Sequence, residues 1–183
     1  VYGFFAFIYI GPLVVEFGEY AFAQGWISEP PNILNPINGA IVVAIMILPL
    51  IASMSEDALR AVPNELREGS LALGATRIET TFRVMLQASL SGIIASIILA
   101  LSRAVGETMA VTLAVGTVAV YTSNMFLPAQ TMTAYIAQRV GGDLPFGEIG
   151  YLTIFAVGLY LFVITLCLNL LGNKVLSTYR EAY

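Results

Sequence analysis

Histidine is absent from the 183 residues, and cysteine occurs once, at Cys167 inside an apolar run. Without imidazole, Ser-His and Cys-His catalytic arrangements are excluded, and a zinc or haem site lacks its usual ligands. A lone cysteine forms no disulfide within the chain. Charge is scarce too: charged residues make up 11% of the chain against 58% hydrophobic, at a mean hydropathy of +0.84. A soluble domain carries about a quarter charged residues, so this chain could not cover a soluble surface. Lipid is the solvent that suits it. A net charge of −4 and a pI near 4.7 leave no basic face for nucleic acid. No Gly-x-x-x-x-Gly-Lys-[Ser/Thr] run occurs, so ATP is not cradled here by that route.

What is present is apolar sequence in long blocks. A membrane helix needs about 20 mostly apolar residues to cross a core of roughly 30 Å. Four regions qualify: Val1 to Gly18 with a kink expected at Gly11-Pro12, Ile37 to Met54 around Pro49, Ser89 to Val120, and Ile149 to Leu171. The third is too long for one crossing, since its length at 1.5 Å per residue would reach about 48 Å. It also holds Arg103, Gly106 and Glu107, so a break near Gly106 is expected, with the second half re-entrant or lining a cavity. A short helix is expected over Thr131 to Val140. The chain opens at Val1 within an apolar stretch, with no initiator Met or signal sequence, and reads as a fragment lacking earlier spans. The expected fold is all-α: a polytopic bundle with about four spans.

Charge sets the orientation. The segment Ser55–Ala88 holds Arg60, Arg67, Arg77 and Arg83, and the tail after Gly172 adds Lys174 and Arg180. Glu19–Pro36 has no Lys or Arg, and Tyr121–Glu148 has only Arg139, beside Asp143. The positive-inside tendency therefore makes the Ser55–Ala88 loop and the C-terminus cytoplasmic. Within that loop the pattern predicts two short helices around a glycine. Asn64 is the expected N-cap of the first, and Gly74 its end. Thr76-Arg77-Ile78-Glu79 matches a capping box that opens the second. A compact, apolar-edged helix–Gly–helix suits docking into a groove of another protein.

These residues carry a resemblance. Glu68-Gly69-Ser70-Leu71-Ala72-Leu73-Gly74, followed by Val84-Met85-Leu86-Gln87, resembles the EAA loop of ABC-importer permeases. Gly69-Ser70 stands where that family has a small Ala pair, and Gln87 where Pro is usual. Ser102-Arg103-Ala104-Val105-Gly106-Glu107-Thr108-Met109-Ala110-Val111-Thr112 is similar to the signature of phosphate-importer permeases, closer to the PstC type than to PstA. The resemblance implies a type I ABC-importer permease domain over residues 1–183. Glu68, Gly69, Leu71, Leu73, Gly74 and Ala75 would then couple it to an ATPase. It also implies a PstA-like second permease subunit, two ATP-binding subunits that carry ATP and Mg, and an extracytoplasmic phosphate-binding protein. The location would be the prokaryotic plasma (inner) membrane. No cofactor or metal is expected on this chain.

Arg103 and Glu107 are the sharpest chemical signal that does not depend on resemblance. Charges at bilayer depth cost at least about 2.5–3.5 kcal/mol each, so they face a cavity or each other. Spacing of four puts them on one face of an unbroken helix, close enough to pair. One reading is a self-neutralising pair that only positions the bend. In the other, Arg103 offers its planar donors to an oxyanion, Glu107 tunes or gates it, and Ser102, Thr108 and Thr112 add hydroxyls. Hydroxyls in membrane helices often bond their own backbone instead. A permease for sulfate or molybdate, and a secondary transporter or channel that needs no ATP, remain alternatives.

Overall fold

A computed structural model of the chain describes residues 1–121, 123–142 and 147–179; Asp143 and Arg180 lie outside these. The described residues form α1 (Tyr2–Ala23), α2 (Pro36–Arg60), α3 (Asn64–Ala72), α4 (Arg77–Val105), α5 (Met109–Val115), α6 (Met132–Val140) and α7 (Ile149–Tyr179). Among the described residues, α1, α2, α4 and α7 are long and apolar enough to cross a membrane. All-helical structure follows from lipid, where each backbone group must be satisfied within its own segment. On α7, Leu152, Phe155, Leu159 and Leu166 are exposed, as an apolar solvent permits.

The described residues make two compact units, Val1–Met46 with Ala104–Ile164 and Ile47–Arg103 with Thr165–Tyr183. In the first, α1 opens into a π-helical stretch at Ala6–Ile10, with the Gly11 N–H reaching back to the Ala6 carbonyl. This stretch lies directly before Gly11-Pro12, where the sequence predicts a kink. Pro12 has no N–H for an α-type bond to Ile8, and the wider turn accommodates its ring. Ala6, Ile10 and Val14 pack with Val42, Ala110, Ala114 and Phe126 into a core. α2 begins with Asn35, whose Oδ1 accepts the Asn38 N–H at 2.8 Å, and Pro36 fills the first helical position. Both asparagines are completely buried. The Asn35 N–H donates to the Ala114 carbonyl at 3.1 Å, and the Asn38 Nδ2 to the Ile33 carbonyl at 3.2 Å. The start of α2 is thereby tied to the end of α5. Gly39 permits that approach, because a Cβ there would run into the Val115 side chain. Gly116, at φ +103°, then ends α5.

In the second unit α2 continues through Pro49, which cannot donate to the Ile45 carbonyl. Gly92 lies against Ala58, and the Ser55 hydroxyl bonds that of Ser96 at 3.0 Å. Ser96 donates to the Ile93 carbonyl at 2.7 Å, so Ser55 is the donor of the pair. α4 starts at Arg77, well before the apolar block, and passes through a second π-helical stretch at Thr80–Met85. The third apolar region ends its helix at Val105, and α5 stops at Val115, short of the expected Val120. The break expected near Gly106 is present: residues 106–108 are not helical.

Candidate functional site

The loop of residues 55–88 lies entirely within the second unit. α3 has Glu65 in its first turn, where the helix dipole favours an acid. The expected cap at Asn64 is displaced by one residue: the helix starts at Asn64 itself, after Pro63, with no side-chain cap. Pro63 holds the N-cap position, with ψ 137° outside the helix, which puts Asn64 inside the first turn where its side chain no longer caps. The C-terminal end is a complete Schellman motif. The Gly74 N–H bonds the Leu71 carbonyl at 3.0 Å and the Ala75 N–H the Ser70 carbonyl at 3.2 Å. Gly74 takes φ +89°, which a side chain would resist. The capping box follows as expected: the Thr76 N–H donates to the Glu79 carboxylate at 2.9 Å, and the Glu79 N–H to the Thr76 hydroxyl at 3.3 Å.

Apolar side chains stand outward on this scaffold. Leu73 is 91% exposed, Ile78 72% and Phe82 65%, while Leu71, Glu68, Gly69 and Gly74 are also exposed and Ala75 is half-buried. One contact was invisible in the pattern. The Ser70 hydroxyl bonds that of Thr80, which is 2% exposed, at 3.0 Å and so ties α3 to α4. Serine in place of alanine is therefore part of the loop's architecture. Ser70→Ala should cost about 1–2 kcal/mol by leaving the Thr80 hydroxyl unpaired, and adding Thr80→Val should recover much of it. Amide exchange over residues 64–72 would read both changes; equal exchange in Ser70→Ala and wild type would deny the tie.

The other candidate residues surround the break after α4. Ser102 and Arg103 belong to the second unit, Glu107, Thr108 and Thr112 to the first. The Ser102 hydroxyl donates to Asn169 Oδ1 on α7 at 2.8 Å. Asn169, a lone amide in an apolar span, is the signal that could have pointed to this pair. Arg103 is exposed in the last turn of α4 and, within its unit, has no hydrogen-bond or ion-pair partner among the described residues. In the first unit, Glu107 accepts the Ala110 N–H at 3.3 Å, covering one free donor at the start of α5. Its backbone carbonyl accepts the Thr133 hydroxyl at 3.0 Å, from α6. Thr112 donates to the Thr108 carbonyl at 2.6 Å and Thr108 to the Gly106 carbonyl at 3.4 Å. The hydroxyl hydrogens of Ser102, Thr108 and Thr112 thus all bond groups of the chain itself, whereas the Arg103 guanidinium has no such partner within its unit among the described residues.

Residues 2–177 match the family described as binding-protein-dependent transport system inner membrane component. The chain is 34% identical to the phosphate transport system permease protein PstC of Mesorhizobium japonicum, over 91% of this chain and 51% of that one. It is 37% identical to a probable phosphate transport system permease protein PstC of Methanocaldococcus jannaschii, over 79% of this chain and 45% of that one. A probable ABC transporter permease protein of Bacillus subtilis, YqgH, is 33% identical over 99% of this chain and 55% of its own length. The chain spans about half the length of these curated relatives. No solved structure matches it.

Proposed function

The chain belongs to the family of binding-protein-dependent transport system inner membrane components, and on that premise we propose that it is the PstC-like membrane subunit of an ATP-driven phosphate importer. The family match supports a single transmembrane domain over the chain, and the relatives' phosphate names support the solute. Residues 55–88 and the C-terminus then face the cytoplasm, in keeping with the four arginines of that loop. The helix–Gly74–helix, with Leu71 and Leu73 exposed and Glu68, Gly69 and Ala75 around them, docks on an ATP-binding subunit. Arg103 receives phosphate along the path, with Ser102 steadying the end of α4 through Asn169; Glu107 tunes transport, and Thr108 and Thr112 belong to the path on the segment that follows. ATP and Mg act on two partner subunits. A PstA-like permease subunit and an extracytoplasmic phosphate-binding protein complete the assembly in the prokaryotic plasma membrane.

The observation that carries this reading is the exposed apolar edge of a rigidly capped loop in a chain of this family. It predicts co-purification with an ATPase subunit and uptake of labelled phosphate that vanadate blocks. Uptake indifferent to vanadate but abolished by a protonophore would favour a secondary transporter instead. Competition by sulfate or molybdate as strong as by unlabelled phosphate would move the solute to another oxyanion.

A further inference from the structure

Of the four arginines in the 55–88 loop, Arg60 is paired with Glu56 at 2.6 Å. Arg67 and Arg77 behave otherwise. They have no hydrogen-bond or ion-pair partner for their guanidinium groups among the described residues, and both line one pocket of about 260 Å³. The pocket lies within the second unit, between the last turn of α2, α3 and the beginning of α4. Leu59, Leu71 and Met85 form its apolar wall. Thr81 also lines it, but its hydroxyl donates to the Arg77 carbonyl at 2.9 Å. The loop carries five carboxylates, Glu56, Asp57, Glu65, Glu68 and Glu79, and none of them lines the pocket.

Arg67 and Arg77 are both exposed and both line this cavity, with no acid among the residues lining it, so both guanidinium groups can turn to one anion at its mouth. Each offers five N–H donors in a planar fork, the geometry that matches the oxygens of a phosphate group. An apolar wall beside the two forks can take the organic part of a phosphate ester. We propose that this pocket binds a phosphate-class anion, at a site separate from the transport path. The same chemistry is offered by free inorganic phosphate and by the headgroup of an anionic phospholipid, which basic pockets at the cytoplasmic membrane surface attract. The site stands on the second unit's own residues and does not depend on which solute is carried.

The test uses the assembled transporter in phosphatidylcholine nanodiscs. One arm titrates inorganic phosphate by calorimetry; the other adds phosphatidylglycerol and counts retained lipid by native mass spectrometry. All variants carry Arg103→Gln, which removes the path residue; in that background at least one probe should bind saturably, and equally with and without Arg83→Gln. It should bind at least about tenfold more weakly to Arg67→Gln/Arg77→Gln, which lacks both charge-assisted forks. Phosphate alone binding assigns the site to the free anion, phosphatidylglycerol alone to lipid, and both to the shared group. Binding of neither probe overturns the proposal, as does equal binding to the double variant. Loss of the ATPase subunit from Arg67→Gln/Arg77→Gln, with neither probe bound by Arg103→Gln alone, would mean that the arginines pair with carboxylates of that subunit. Should the double variant not assemble, the single substitutions Arg67→Gln and Arg77→Gln read the same comparison.

Discussion

Arg103→Gln should lower phosphate uptake about a hundredfold or more, because it removes two charge-assisted hydrogen bonds to a bound oxyanion. Arg103 is the one candidate path residue whose donors are uncommitted within its unit, since the hydroxyls of Ser102, Thr108 and Thr112 already donate. A cation in the last turn of α4 also suits the negative end of the helix dipole, an effect of about 0.3–1 kcal/mol. That role alone would be kept by Arg103→Lys, which holds the charge but loses the planar fork. The path role therefore predicts a graded series: full uptake for Arg, much reduced for Lys, essentially none for Gln. Co-purification with the other subunits should be unchanged across all three. Wild-type uptake by Arg103→Gln would remove Arg103 from the path.

Leu73→Glu should release the ATPase subunit and abolish uptake, with the permease still present in the membrane at its normal level. At 91% exposure, Leu73 contributes almost nothing to the packing of this chain, so its replacement leaves α3 and its capped end intact. On docking, a leucine side chain moves from water into an apolar groove, worth about 1.5–3 kcal/mol. A carboxylate in that place forfeits this and adds the cost of burying a charge. The affinity-tagged permease should then recover no ATPase subunit from detergent extracts. Leu73→Met, similar in volume and polarity, should keep both association and uptake. Full recovery of the ATPase subunit by Leu73→Glu would place the docking surface elsewhere.

Much of this was legible because it rests on local rules. The four apolar blocks follow from composition, and the break at Gly106 follows from a block too long for one crossing. Gly74 and the Thr76–Glu79 box are short-range motifs whose partners lie within a few residues, so spacing alone identifies them. The contacts that escaped join distant segments. Ser102 meets Asn169, Thr133 meets the Glu107 carbonyl, and Asn35 meets the Ala114 carbonyl. No periodicity encodes such pairs, because each depends on which helices lie side by side. Asn35-Pro36 stands just ahead of the apolar block at Ile37, and there asparagine before proline makes a buried helix start. Arg77 as the first helical residue was legible too, because the Thr76–Glu79 box opens the helix there although the apolar block starts later. Charge marks where lipid begins, whereas the backbone of α4 coils well before that point.

The seven-residue α5 has a consequence for how the protein is made. A helix of that length cannot be released sideways into lipid as a span, and alone it would be marginal in any solvent. Its resting place has to be waiting. The parts it settles on are Gly3 beside Leu113, the core around Ala6 and Ile10, and Asn35, which holds the Ala114 carbonyl. All of them leave the ribosome first. Chain order thus lets a segment too short to insert by itself close onto a cradle synthesised about eighty to a hundred and ten residues earlier, in keeping with N-terminal parts folding first during translation. Thr133 arrives only afterwards and latches the Glu107 carbonyl behind it.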